Sequence, residues 1–237
     1  MEKYNLMKSH FLLLSQFIAL LQCQTFNFEE CGLSASCMTL PDGCTPSVSG
    51  SVCTVMSWRT EESGIAITIY GENTDNPGDW VGIAMSKTGG METSDTYLCK
   101  RLGQDVQFVS AYSAGRGPPT EYPTELNSAP GVANETIGTT GSDNSYSCKF
   151  VVNPTVTKEG EIFDYVKDVS YNILLARGTL TEWRTTYHTE KASSTEAIEF
   201  YPQEKQIFIG GSSKLPALII AHAALMFSAW ALCAPIG

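Results

Sequence analysis

Short runs of alternating apolar and polar residues recur through the middle of the chain. Ile65 to Tyr70 and Trp80 to Met85 alternate most clearly, and a period of two is typical of a half-buried β-strand. No amphipathic helix of convincing length accompanies them, so the pattern predicts an all-β fold, an antiparallel β-sandwich or barrel with an Ig-like arrangement of strands. Six further runs, separated by clusters of Gly, Pro, Asn and Asp, lie at 54–58, 96–99, 106–111, 146–152, 171–176 and 197–201.

The two ends of the chain carry a different pattern. Residues 1–24 combine Lys3 and Lys8 with a short apolar run, Phe11 to Leu21, which predicts a secretory signal peptide. Residues 215–236 are uncharged and long enough for a transmembrane helix. They equally fit a glycolipid-anchor signal, because small residues precede them at 210–213. We expect residues 206–214 to be a linker.

The cysteines of the middle region indicate the redox state of its compartment. Six lie between the signal peptide and the C-terminal apolar segment, which predicts three disulfides in an oxidising compartment but leaves 15 pairings open. A zinc knuckle is the less favoured reading of the same residues. We expect residues 25–53 to form a Cys-rich lead-in outside the core, and residues 54–205 to form the sandwich. The six are Cys31, Cys37, Cys44, Cys53, Cys99 and Cys148.

One long excursion interrupts the strand pattern. Residues 113–144 are dense in Gly, Pro, Ser and Thr, and the segment is too long for an ordinary hairpin loop. It contains Asn134 in the triplet Asn134-Glu135-Thr136, a predicted N-glycosylation acceptor.

Composition and charge narrow the function classes. The 237 residues carry a formal net charge of −10, which makes a nucleic-acid binder improbable because such proteins present basic surfaces. The hydrophobic fraction of 43% is enough for a core. The chain has three histidines, too few for a zinc enzyme built on a histidine cluster.

The small number of histidines also limits which cofactor sites are possible. His188 is the one histidine between the two end segments, and a lone imidazole can serve as an axial haem ligand when a Met thioether completes the pair. Met91, in a Gly-rich stretch between two predicted strands, is the best placed partner. Met56 and Met85 are weaker candidates, because both fall in apolar strand patterns and are expected in the core.

Three groups of residues resemble those of a known family. They are the run Trp80 to Ser86 followed by Gly90-Met91, Ser94-Asp95-Thr96 and Cys99; the run Leu174 to Gly178 continuing to His188; and the lead-in cysteines closing on Ser57-Trp58. Together these resemble DOMON domains of ferric-chelate-reductase-like proteins. The segment from His222 to Met226, with Trp230, is similar to the first core helix of a cytochrome b561 domain, apparently cut short after that helix.

The resemblance implies a β-sandwich that holds a b-type haem between Met91 and His188. It also implies that His222 matches a haem-ligand histidine of the membrane domain. Proteins of this kind pass electrons from an ascorbate-type donor to a ferric chelate, so the resemblance implies a membrane-attached electron-transfer domain on the cell surface or in the secretory pathway. The alternative is a haem-free module, anchored at the membrane, that binds a ligand or a protein partner. Whether the chain is itself an enzyme is left open.

Overall fold

A computed structural model of the chain describes residues 26–46, 52–72, 78–115, 117–122, 130–136, 145–167, 170–201 and 208–209. Within these ranges the regular structure is β apart from one short 3₁₀ turn at Phe28–Glu30. The strands are β1 (Ser36–Leu40), β2 (Thr54–Glu61), β3 (Gly64–Glu72), β4 (Gly78–Ser86), β5 (Ser94–Leu102), β6 (Asp105–Ser113), β7 (Thr120–Glu121), β8 (Val132–Thr136), β9 (Ser145–Val152), β10 (Thr155–Lys158), β11 (Glu161–Asp164), β12 (Ser170–Thr181), β13 (Arg184–Ser193), β14 (Ile198–Glu199) and β15 (Phe208–Ile209).

Two largely antiparallel sheets form the sandwich, which confirms the predicted fold class. One sheet has the order β15-β1-β2-β3-β9-β8, and the larger has the order β13-β12-β4-β5-β6-β7 with β14 pairing with β12. The β1–β15 pair is parallel, and the other described strand pairs of the two sheets are antiparallel. A separate hairpin, β10–β11, belongs to neither sheet. All eight runs of apolar residues predicted as strands lie in or overlap these strands.

The core lies between the inner faces of the two sheets. Alternate residues of each strand point inward, as Val81, Ile83 and Met85 do from β4, and all three are buried. Fully burying an aliphatic side chain of this size contributes about 1.5–3 kcal/mol. Cys99 on β5 bonds to Cys148 on β9, so a disulfide ties one sheet to the other through this core.

The Cys-rich lead-in is more than a cross-linked approach to the fold. Cys31 bonds to Cys37, and Cys44 bonds to Cys53. Between them β1 pairs along its whole length with β2, and all five of its residues are buried. The expectation that 25–53 lies outside the core is therefore wrong for β1. Burial on both faces removes the alternation that would have identified the strand.

The excursion at 113–144 also contributes to the sheets. β7 pairs with β6 at the edge of the larger sheet, and β8 pairs with β9 at the edge of the smaller one. Asn134 lies in β8. Its glycosylation stays a prediction.

Several sequence predictions concern residues outside the described ranges: the signal peptide at 1–24, most of the linker at 206–214, the apolar segment 215–236 and His222 within it. Among the described residues, no helix is long and apolar enough to cross a membrane.

Candidate functional site

Met91 lies in the loop of residues 87–93, which joins β4 to β5. Its backbone carbonyl accepts a hydrogen bond of 3.0 Å from Ser94 Oγ, and its side chain is 37% exposed. A Cβ atom built on Gly89 would lie 3.5 Å from Asn172 Nδ2. The loop is therefore level with the start of β12, where Asn172 pairs with Ser86.

His188 lies in β13, the edge strand of the larger sheet. It stands opposite Gly178 on β12, and Gly178 stands opposite Trp80 on β4. The half-buried imidazole packs on the ring of Tyr187, with 4.1 Å between the ring centroids. Burial, aided by the positive charge of Lys191, lowers the pKa of His188 below its usual value of 6.5. The imidazole is accordingly neutral at pH 7 and able to accept a hydrogen bond or bind a metal.

The strand register does not bring Met91 and His188 together. The Met91 loop is level with Asn172, whereas His188 is level with Gly178, six residues further along β12. Six residues of strand span about 20 Å. A shared haem iron needs both donor atoms bonded to it, so the two residues do not fit one haem in this arrangement.

The other candidate ligands have structural roles or lie elsewhere. Met56 and Met85 are fully buried in the core, as expected from their strand patterns. The six cysteines of the middle region are paired in disulfides, which rules out the zinc-knuckle reading. No group of three or more His, Cys, Asp or Glu side chains able to hold a metal occurs in the part of the chain that the structure describes.

A buried ion pair beside the Met91 loop was not identified from the sequence. Asp95, near the start of β5, pairs with Lys158 at the end of β10, and both side chains are completely buried. Lys158 Nζ also donates to the carbonyls of Ala111 at 3.0 Å and Thr96 at 3.5 Å. It lies 4.1 Å from the ring centroid of Tyr97. All three N–H groups of the ammonium therefore have acceptors.

Two phenol groups complete the surroundings of Asp95. The hydroxyls of Tyr97 and Tyr165 donate to Asp95 Oδ2 at 2.9 and 2.5 Å. Burial, reinforced by the negative charge of Asp95, raises the pKa of both tyrosines well above 10, so both hydroxyls stay protonated and keep donating. Burial lowers the pKa of Lys158, while Asp95 opposes that effect. The sequence contains a signal for this buried carboxylate. Asp95 lies two residues before Tyr97 and four before Cys99, so its side chain lies on the same, inward face of the strand.

A second buried lysine lies on the other face of the larger sheet. Lys100 Nζ donates to both carboxylate oxygens of Glu121 at 2.6 and 2.7 Å and to the Trp183 carbonyl at 2.9 Å. Lys100 stands opposite Trp80 in the register. The Trp80 indole packs closely over Gly178, where an added Cβ would lie 2.7 Å from Trp80 Nε1. The residues at the His188 end of this face are thus tightly packed around Trp80.

At the same end of the sheet, an acidic side chain faces the sandwich interior. Asp79 Oδ1 lies 3.4 Å from Arg101 Nη2, and Arg101 lies over the Tyr146 ring, 5.3 Å from its centroid. Burial raises the pKa of Asp79 to about 6, even though Arg101 and Tyr146 oppose the shift. Among the described carboxyl groups whose pKa is shifted, Asp79 therefore has the pKa nearest to neutral pH.

Comparison with known proteins identifies similar families and structures. The family model of the DOMON domain matches residues 52–178. The chain is 28% identical over 213 residues to ferric-chelate reductase 1 of Mus musculus, and 27% identical over 213 residues to that of Homo sapiens. Each match covers 90% of this chain and 33% of the relative, so the chain spans about a third of the length of these curated relatives. Among solved structures, the cytochrome domain of Myriococcum thermophilum cellobiose dehydrogenase matches with a TM-score of 0.43 and 13% identity, covering 72% of this chain and 83% of that one.

Proposed function

The chain belongs to the DOMON family, and on that premise we propose that it forms the extracellular DOMON domain of a ferric-chelate-reductase-like membrane protein. Support comes from the similarity to ferric-chelate reductase 1 proteins over 90% of the chain. Three disulfides support an oxidising compartment. A cell-surface or secretory-pathway membrane location, with the domain on the outer side, follows from the same argument.

Within such a protein, the geometry favours a haem-free module that binds a ligand or a protein partner. The observation that carries this proposal is the register, which places the Met91 loop level with Asn172 and His188 level with Gly178, positions about 20 Å apart along β12. The half-buried His188 and the exposed Tyr187 on edge strand β13 give this module an accessible surface. A neutral imidazole and a phenol are groups that hydrogen-bond readily to polar partners.

The second candidate is the b-type haem domain that passes electrons from an ascorbate-type donor towards a ferric chelate. The similarity to ferric-chelate reductase 1 favours it. It would require the Met91 loop and β13 to approach each other, so that a thioether and an imidazole reach one iron. Such a pair would retain both ligands in either redox state and favour ferrous iron.

One experiment separates the two candidates. The full chain is produced through a secretory pathway, supplied with haem, and its absorption spectrum is recorded in the oxidised and dithionite-reduced states. If the module is haem-free, we expect the dithionite-reduced spectrum to show no Soret and α bands that depend on Met91 and His188. If those bands appear and are lost in both Met91→Ala and His188→Ala, the haem-free proposal is overturned and the electron-transfer domain takes its place. Tyr187→Ala serves as the control for a general disturbance of β13.

A further inference from the structure

The hairpin β10–β11 stands apart from both sheets and contacts the first residue of the Met91 loop and a residue just beyond its end. On one side, Lys87 Nζ donates to the Ile162 carbonyl at 2.5 Å. The same ammonium lies 5.1 Å from the centroid of the Phe163 ring. Lys87 is the first residue after β4, so these contacts attach the start of the loop to β11.

The other side of the loop is attached through Asp95. Lys158, the last residue of β10, forms the buried ion pair with Asp95. Tyr165, the first residue after β11, donates to the same carboxylate at 2.5 Å. Asp95 is the second residue of β5, which places this contact two residues beyond the end of the loop. The hairpin thus holds both flanks of a seven-residue loop.

The hydrogen bonds of residues 88–93 are few and local. Thr88 donates from its backbone N–H to Ser86 Oγ at 3.2 Å, and Thr88 Oγ1 lies 3.4 Å from the Glu92 carbonyl. Ser94 Oγ donates to the Met91 carbonyl. These contacts shape the turn, but each partner lies in the loop or within one residue of it. Apart from those of Lys87, the described hydrogen bonds of this loop therefore stay within it and its immediate neighbours.

We propose that the β10–β11 hairpin is a clamp that positions the Met91 loop, with Lys87 and the Asp95–Lys158 pair as its two attachment points. Met91 lies at the middle of the clamped segment, so the hairpin determines where its thioether stands. Lys87, Asp95, Lys158 and Tyr165 are positioning residues in this proposal. It requires no haem and does not depend on which of the two candidate functions holds.

The competing explanation is that the buried pair contributes to overall stability alone. Removing one member of a buried ion pair destabilises a protein wherever the pair lies, because the other charge stays buried without a partner. Lys100 provides a matched control. It is also completely buried and carries an ion pair, but its partners are Glu121 and Trp183, which belong to neither the hairpin nor the loop.

Amide hydrogen exchange of the full chain tests the clamp. In Lys87→Ala and in Lys158→Met we expect exchange in residues 87–93 to accelerate by about tenfold or more, because local opening no longer has to break the hairpin contacts. Exchange in β2 and β3 should change far less. In Lys100→Met the loop should keep its native exchange rate relative to those strands.

Two results would overturn the proposal. One is unchanged exchange of residues 87–93 in Lys87→Ala, a variant at an exposed position that keeps the buried pair and is expected to fold even if Lys158→Met does not. The other is an acceleration of the loop in Lys100→Met as large as that in Lys158→Met. The methyl resonance of Met91 gives a second readout, expected to shift in the two clamp variants and to stay in place in the control.

Discussion

The two ends of the larger sheet hold their candidate residues in opposite ways. At one end, Met91 lies in a loop whose flanks are tied to a separate hairpin through a fully buried ion pair. At the other end, His188 lies on an edge strand whose residues alternate between exposed and half-buried. One residue is located by contacts distant in sequence, and the other lies on an edge strand that is paired on one side, with β12.

The first arrangement fixes the position of a residue, and the second leaves a residue accessible. A loop held by buried, fully hydrogen-bonded charges has a defined place because moving it would leave those charges unpaired. An edge strand leaves one side of its backbone and its side chains open to solvent or to a partner. The Met91 end is therefore suited to fixed geometry, and the His188 end to recognition.

The largest effect is expected at the Met91 end, in Asp95→Ala. This change leaves the Lys158 ammonium buried without its carboxylate, and breaking a buried pair in this way costs about 3–5 kcal/mol. Chemical denaturation gives the free energy of unfolding. The double variant Asp95→Ala/Lys158→Met should recover part of the loss. A loss below about 1 kcal/mol, the value of an exposed pair, would mean that the two ends do not differ as described.

At the His188 end, Gly178→Ala should have the next largest effect. The added methyl group would lie 2.7 Å from Trp80 Nε1, so the indole must move, and overpacking of this kind costs about 1–3 kcal/mol. The near-ultraviolet circular dichroism of tryptophan should change as well. Gly117→Ala is the control, since a Cβ there meets no atom within 4 Å. Equal stability of the two variants would contradict the tight packing over Gly178.

The pH dependence of stability sharpens the comparison at the same end. The pKa of Asp79 is about 6 in the folded protein, above its usual value of 3.8, so the folded state binds this proton more tightly than the unfolded state. Its contribution to stability is present below pH 4 and is lost as the pH rises through 6. Relative to wild type, Asp79→Asn should therefore gain about 1 kcal/mol between pH 4 and pH 7.

Urea unfolding of both proteins across that range measures the gain. The sign is the informative part, because a carboxylate stabilised mainly by Arg101 would give the opposite slope. In that case Asp79→Asn would lose stability relative to wild type as the pH rises from 4 to 7.

The smallest effects should come from β13 itself. His188→Ala and Tyr187→Ala remove side chains from an open edge strand, and such changes usually alter the free energy of unfolding by less than about 0.5 kcal/mol. Thermal unfolding of each variant beside wild type checks this expectation. A loss above about 1 kcal/mol in His188→Ala would show that the imidazole has buried contacts, and would remove the contrast between the two ends.

Strands that carry a run of apolar residues could be predicted from the sequence, whereas β1 and β13, which carry none, could not. The runs Ile65 to Tyr70 and Trp80 to Met85 predict β3 and β4. β1 is buried along its whole length, whereas β13 reads Arg-Thr-Thr-Tyr-His-Thr-Glu-Lys-Ala-Ser, which is polar almost throughout. Neither carries apolar residues at a period of two, because β1 mixes Ser, Cys, Met, Thr and Leu and β13 is polar on both faces.

The distance between the two candidate residues depends on how the strands pair, and the local pattern of apolar and polar residues does not show that pairing. Side-chain chemistry and a family resemblance point to Met91 and His188, but the separation of the two follows from the pairing of β12 with both β4 and β13. The Asp95–Lys158 pair joins residues 63 positions apart. A charge in the inward phase of a strand signals that a partner is needed, although it does not say where in the chain the partner lies.

The Cys99–Cys148 disulfide gives the domain a tolerance to cleavage. The excursion between β6 and β9 lies wholly within the covalent ring that this bond closes. A protease that cuts one peptide bond anywhere between the two cysteines would leave the fragments linked, since each fragment carries one of the sulfur atoms. The cut protein would migrate as one species until a reductant separated it, so a single cut in this excursion would not dismantle the domain.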